Sequence, residues 1–369
     1  MAANTDTENF TAELFEYWIP RLAADGVDVN DVLTVHGRVT GWADWPAAWA
    51  EIGDDYRALA AARLAEGSEL SAGEALVRAS LAYHCGQVVA FHAPAEKADL
   101  QARKVAAFRE AAPLLTPPAE RIEIAFDGLM LPGFLRLPAG ISGPAACVLL
   151  VPGLDSTKED FTTIADMCAR RGLATLAFDG PGQGEVRAAA SLAEGYEACI
   201  AAVFEAIAQR PEIDQTRIGT LGRSLGGHYV VRAAAADPRI AATVVFGGNY
   251  DLSDWPNMPA LIRDGFRHAT GGATEDEARQ LMGAASLDDC IGQVYSPVLV
   301  VHGKRDGIFH WQQAIRIADA LGGRATLMMD EDGVHCCHNH AFEYRTAMVD
   351  WLAAILGARS DTAIAVGRA

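Results

Sequence analysis

A serine between two glycines is the first group in this chain with the character of a nucleophile. In Gly222-Arg223-Ser224-Leu225-Gly226 the residues two before and two after the serine are nearly free of side chain, so a strand and a helix can meet in a strained turn that presents the hydroxyl. Such a hydroxyl attacks a carbonyl when a histidine takes its proton and an acid fixes that histidine's tautomer. On a strand-turn-helix scaffold the chain order is serine, acid, histidine. Asp306, in His302-Gly-Lys-Arg-Asp306, and His335, in Asp330-Glu-Asp-Gly-Val-His335, follow in that order, each just beyond an apolar run. Alone, these residues read as a helix cap, a solvated carboxylate and a surface histidine. Together they point to a Ser-His-Asp triad.

Other residues compete for the same roles. His338 and His340 rival His335 as base, and His338 follows it by about one helical turn. Asp251 and Asp254, after the run Ala242–Phe246, rival Asp306 as orienting acid, cap a helix, or touch substrate. Donors for the developing oxyanion are each worth about 2.7–4 kcal/mol. The amides of Leu225, directly after the serine, and of Leu154, in Pro152-Gly153-Leu154, are the candidates. His228, Asp251, Asp254, Trp255 and His338 are the candidate substrate-pocket residues, with His302 at a strand end as a structural or lining group.

Two further patterns resemble ligand sites and fail on spacing. Asp179-Gly180-Pro181-Gly182-Gln183-Gly184 lacks the terminal Lys-Ser/Thr of a P-loop and the spacing of G-x-G-x-x-G, so it reads as a rigid turn near the pocket. His335-Cys-Cys-His-Asn-His340 has no second cluster to complete a structural zinc site. No metal and no cofactor are expected.

The elements that must position these groups follow from periodicity. Arg121–Phe126 and Leu129–Leu137 flank Asp127-Gly128, a hairpin dipeptide. Apolar runs at Ala146–Val151, Ala174–Phe178, Ile218–Leu221, Ala242–Phe246, Val298–Val301 and Ala325–Met329 alternate with helical stretches, the mark of a mostly parallel sheet covered on both faces. Before them the chain is helical, with Ser71 and Glu74 in capping-box form at the head of a helix Ala72–His92. The expected organisation is an α/β fold: a helical N-terminal domain over 1–115, a catalytic domain over 116–358 with a small lid insertion at about 249–290, and a tail over 359–369.

Composition narrows the partners. With 369 residues and a formal charge of −18, the long-range field opposes nucleic acid and anionic membranes and favours neutral or cationic small molecules. Seven scattered cysteines make no disulfide framework, no apolar stretch reaches the roughly 20 residues of a membrane helix, and Met1–Asn9 is unlike a secretory signal. A cytoplasmic protein with reduced thiols is expected.

Gly153-Leu-Asp-Ser-Thr-Lys-Glu159, Phe178-Asp-Gly-Pro-Gly-Gln-Gly-Glu185, Gly222-Arg-Ser-Leu-Gly-Gly227 and Asp332-Gly-Val-His-Cys-Cys-His-Asn339 resemble segments of 2,6-dihydroxypseudooxynicotine hydrolase-like enzymes, carbon-carbon bond hydrolases of the α/β-hydrolase superfamily. The resemblance runs from about Arg121 to Leu356, with weaker motifs before it. It implies a homodimer whose helical domain covers the site, with Ser224 as nucleophile, Asp306 as orienting acid and His335 as base, acting on an acyl-dihydroxypyridine or diketone-like substrate. Asn249–Ala285 departs most from the family pattern, which opens substrate identity. Glu159, Glu185 and Cys336-Cys337 match without a role assigned by their chemistry. The alternative activity is carboxylic ester hydrolysis with the same triad; a binding protein that retains the fold is a third reading.

Overall fold

The computed structural model describes residues 14–192, 195–271, 274–282 and 285–358. Residues 1–13 and the expected tail 359–369 lie outside the described residues. Among the described residues eight strands form one sheet in the order β1-β2-β4-β3-β5-β6-β7-β8. They are β1 Ala119–Phe126, β2 Leu129–Arg136, β3 Ala145–Val151, β4 Leu173–Phe178, β5 Ile213–Arg223, β6 Ala242–Phe246, β7 Val298–Gly303 and β8 Ala325–Asp330. β1 and β2 are an antiparallel entry, and β3 to β8 run parallel. The hairpin turns on Asp127 and Gly128, both at positive φ (48° and 75°), as a tight turn of this type requires.

Alternation along β3 shows why the inner strands read as continuous apolar runs. Cys147, Leu149 and Val151 face one core and Ala146, Val148 and Leu150 the other, so both faces are covered. The helical segments after the first five, in chain order, are α6 Thr162–Ala169, α7 Tyr196–Ala208, α8 Leu225–Ala236, α9 Ala260–Ala269, α10 Glu275–Met282, α11 Gln312–Leu321 and α12 Ala341–Ile355. α7, α8 and α11 pack on the first core; α6 and α12 pack on the second. The strand leading to the serine is longer than its apolar run implied, because Ile213 pairs with Ala145 ahead of a register shift that leads to Ile218 opposite Cys147.

The region before the sheet is helical, with α1 Ile19–Asp25, α2 Val29–His36, α3 Trp45–Ala65, α4 Glu69–Val88 and α5 Pro94–Ala111. Trp45, Trp49 and Ile52 of α3 pack against Leu81 and Val88 of α4. The expected capping box is corrected here: α4 starts at Glu69 with Ser68 at its N-cap, which puts Ser71 inside the helix. Gly67, at φ 77°, ends the preceding helix and sets that earlier start. α5 meets the sheet through Phe108, whose ring lies 4.7 Å from that of Phe134.

Candidate active site

Backbone sterics make the elbow. Ser224 sits at φ 56° and ψ −127°, a conformation that a non-glycine residue holds only when its surroundings impose it. A Cβ on Gly222 would overlap the Gly226 carbonyl, and one on Gly226 would fall against Val151 O and 2.7 Å from Pro152 O. Strand and helix meet so closely that neither position tolerates a side chain.

The loops after β7 and β8 bring two groups to that turn. His335 Nε2 lies 2.8 Å from Ser224 Oγ, and His335 Nδ1 lies 2.7 Å from Asp306 Oδ2. The other carboxylate oxygen, Asp306 Oδ1, accepts from the amides of Ile308 (2.8 Å) and Phe309 (3.0 Å). His302 Nε2 adds a contact to Oδ2 at 3.2 Å while donating to Phe309 O at 2.9 Å, so the histidine at the strand end braces the acid. Burial pushes the Asp306 carboxyl up, but the His335 imidazole and the His302 hydrogen bond outweigh it and hold the group below the usual carboxylate range. Burial alone would lower His335; the Asp306 charge beside it overrides that and raises it.

The oxyanion candidates border the same space. Leu154 and Leu225 both line the small cavity that contains Ser224 and His335. A Cβ on Gly153 would stand 3.4 Å from the Leu225 amide nitrogen, so the two candidate amides come from adjoining backbone.

Of the five pocket candidates, His338 lines this cavity and the other four do not. His338 Nδ1 accepts from Arg345 Nη2 at 3.3 Å, and burial reinforced by the Arg345 charge holds its imidazole well below the ordinary range. Asp251 and Asp254 brace the β7 loop instead: Asp251 accepts from Arg316 (2.6 Å), and Asp254 accepts from Gln313 Nε2 (3.0 Å) and the His310 amide (2.9 Å). Trp255 packs on Phe266 with ring centroids 5.0 Å apart. His228 lies 3.3 Å through Nδ1 from Asn249 O. His340 pairs with Asp330 at 2.7 Å, so the histidines of the His335–His340 tract face separate partners.

Sequence reasoning missed the contribution of the first helices. The Tyr17 ring stacks over the His335 imidazole, 6.4 Å apart and 22° from parallel. Arg21 Nη1 reaches Asp155 Oδ2, beside the oxyanion loop, at 2.7 Å. Asp25 Oδ1 accepts at 2.8 Å from Arg223, next to the serine, and at 2.8 Å from Arg345 of α12. The available sign was Arg21 and Asp25 four apart on one helical face.

The two glutamates of the family motifs acquire partners here. Lys158 Nζ lies 2.6 Å from Glu159, 2.7 Å from Asp179 and 2.7 Å from Glu185, while Lys104 of α5 approaches Glu159 at 3.4 Å. Glu159, Asp179 and Glu185 are close enough to share a cation, and the Lys158 ammonium fills that role. Cys336 and Cys337 turn the chain at positive φ, 52° and 44°, and Cys336 Sγ lies 3.3 Å from Phe246 O.

A mostly parallel sheet flanked by helices, with a serine at a strand-to-helix elbow hydrogen-bonded to a histidine that is in turn held by an aspartate, both from later loops, defines an α/β-hydrolase. A family model described as esterase FrsA-like matches residues 24–252, and one described as the prolyl oligopeptidase family matches residues 160–359. The chain is 36% identical over 352 residues to 2,6-dihydropseudooxynicotine hydrolase of Paenarthrobacter nicotinovorans, covering 93% of each protein. The crystal structure of 2,6-dihydroxy-pseudo-oxynicotine hydrolase superposes with a TM-score of 0.85 at 35% identity, covering 91% of this chain and 95% of that one. The 20-hydroxy-prefusarin hydrolase of Gibberella moniliformis is 32% identical, across 70% of this chain and 66% of its own length. The chain therefore belongs to the family of 2,6-dihydropseudooxynicotine hydrolase within the α/β-hydrolases, and it is a hydrolase.

Proposed function

We propose that this hydrolase cleaves a carbon-carbon bond next to a ketone, in an acyl-dihydroxypyridine or diketone-like substrate. Ser224 Oγ attacks the ketone carbon as His335 takes its proton, and the amides of Leu154 and Leu225 hold the oxyanion. Collapse breaks the carbon-carbon bond; the electron pair leaves on carbon, stabilised as an enol or electron-rich aromatic, and receives the proton from His335. Water, deprotonated by His335, then hydrolyses the acyl-enzyme. In a variant of this route His335 activates water directly and Ser224 assists.

The observation that carries the reading is the line Ser224–His335–Asp306 at 2.8 and 2.7 Å, buried beneath α9 and the first helices, in a chain of this family. Ester hydrolysis with the same groups is the second reading, favoured by the esterase FrsA-like match. A panel of acyl-dihydroxypyridines, 1,3-diketones and simple esters separates them. We expect cleavage of the ketones, abolished in Ser224→Ala, and labelling of the wild type by a fluorophosphonate. Rapid ester turnover with no ketone cleavage would establish the esterase reading instead.

In this reading residues 1–115 cap the site, 116–358 form the catalytic domain, and the stretch of about 249–290 is its lid. No helix among the described residues is long and apolar enough to cross a membrane, and the free state of all seven cysteines agrees with a reducing cytoplasm. The family resemblance suggests a homodimer, which sedimentation would report as twice the 39.2 kDa chain. At long range the acidic exterior favours neutral or cationic substrates.

A further inference from the structure

The narrow cavity at Ser224, about 20 Å³, shares Leu154, Asp155 and Ser156 with a much larger chamber of about 710 Å³. One face of α5 walls that chamber, with Pro94, Lys97, Gln101, Val105 and Arg109 recurring at threes and fours. The turn Gly182–Arg187 and His268 of α9 form other parts of the wall.

The charges on this wall are unevenly matched. Both carboxylates are committed: Asp155 to Arg21 at 2.7 Å, and Glu185 to Arg121 at 2.8 Å and Lys158 at 2.7 Å. The cations are not. Lys97, only 9% exposed, has neutral partners and, among the described residues, no carboxylate: Gln87 O at 2.6 Å, Gln87 Oε1 at 2.9 Å, Val88 O at 3.5 Å, and the Phe91 ring, whose centroid is 4.6 Å from Nζ. Arg187 donates from Nη2 to His268 O, and its Nε is buried with no acceptor; the same is true of Gln101 Nε2. Arg109, at the exposed rim, has no ion-pair partner among the described residues. A cation withdrawn from water without a counter-ion is unfavourable, and unfilled buried donors add to that cost. Burial accordingly pushes the Lys97 ammonium down to about 7. His268, held down to about 4 by burial and then by the Lys97 charge, is neutral and supplies no balancing charge.

We propose that this chamber receives an anionic group on the larger fragment of the substrate, a carboxylate or an acidic hydroxyaromatic, with Lys97 and Arg187 as specificity-determining residues and Arg109 guiding it at the mouth. The proposal rests on the hydrolase reading only in taking Ser224 as the reacting group. It reverses, at short range, the preference set by the acidic exterior. The exterior field is screened over about 8 Å at physiological salt, while charges inside a cleft act through a lower dielectric.

The test uses the full chain and the mono-p-nitrophenyl esters of glutaric, adipic and pimelic acids, each beside its monoamide isostere. The expected result is a kcat/KM ratio favouring the anion by roughly tenfold to a hundredfold for at least one chain length, the range of a charge-assisted hydrogen bond. That ratio should fall towards one in Lys97→Met and in Arg109→Glu, the latter at an exposed site where folding is not at stake. Equal or faster turnover of the amide at every length, or a ratio unchanged in both variants, overturns the proposal. Calorimetric titration of Ser224→Ala with adipate and with adipamide reads the anion site without turnover. Adipate preference in that protein, lost in Ser224→Ala/Arg109→Glu, upholds the site even if no ester is hydrolysed, an outcome that would count only against ester hydrolysis at Ser224. No preference for adipate refutes the anion site whatever the esters do.

Discussion

Asp306→Asn tests the division of labour at the candidate site with almost no change in shape. Asp306 Oδ1 accepts two backbone amides, from Ile308 and Phe309, so an asparagine in its place keeps its carbonyl oxygen there and turns its NH2 towards His335. That group can only donate, so His335 Nδ1 must become the acceptor and Nε2 must carry the proton. The imidazole then presents an N–H to Ser224 at 2.8 Å where a lone pair is needed. The loss expected from a wrong tautomer is roughly 10⁴ in kcat, or about 5 kcal/mol of transition-state stabilisation. A second readout follows from charge. Burial lowers His335 and Asp306 raises it, with Asp306 prevailing. Because the base must be neutral, kcat/KM should rise with pH along a limb on the alkaline side of the ordinary imidazole value of about 6.5. Removing the carboxylate takes away the largest influence opposing burial, so the residual activity of Asp306→Asn should rise at lower pH than in the wild type. The assay is a pH series of kcat/KM on any turned-over ketone or ester, with circular dichroism to verify folding. A loss smaller than about tenfold, or a limb that does not move to lower pH, would refute this account.

Other substitutions probe the supports. Gly226→Ala should lower the urea midpoint by an amount equivalent to about 1–3 kcal/mol or more, since its methyl meets the Val151 and Pro152 carbonyls; an unchanged midpoint would contradict the close approach. Asp25→Ala leaves the guanidinium groups of Arg223 and Arg345 without the carboxylate they share, and should cost about 3–5 kcal/mol of unfolding free energy by chemical denaturation. In Lys158→Met the carboxylates of Glu159, Asp179 and Glu185 lose their shared cation, with a similar cost near neutral pH of about 3–5 kcal/mol. Burial raises Glu159 and Lys158 overrides it, holding the group low in the wild type, so that pair stabilises above the ordinary carboxylate range and loses its effect as pH falls. Without the lysine these carboxyls are raised by burial and mutual repulsion, and the deficit of the variant should shrink as pH is lowered from 7 towards 5, a trend that a denaturation series would show or exclude.

Local sterics explain what could be read in advance. The positions of β3, β4, β6 and β7 follow from short, mostly apolar runs, because a strand covered on both faces is lined by apolar residues almost throughout, while β8, a half-buried edge strand, shows a run interrupted by the exposed Thr326. The elbow at Ser224 could be read because the demand for glycine at 222 and 226 arises within five residues. The start of α4 was misread because Ser68 and Ser71 are both acceptable caps, and the choice depends on where the previous helix ends at Gly67.

What the sequence by itself determined is the class of fold, together with the candidate serine, acid and histidine each placed just beyond an apolar run, since each of these signals lies within a few neighbouring residues. Only the tertiary structure decided what surrounds them: Asp25 between Arg223 and Arg345, Tyr17 over His335, and Lys97 without a counter-ion beside the large chamber. A charged residue in a helix carries no local mark of whether it will face water or a buried partner hundreds of residues away. That outcome is set by how the first helices pack on the carboxyl ends of the strands, and no short-range preference encodes it.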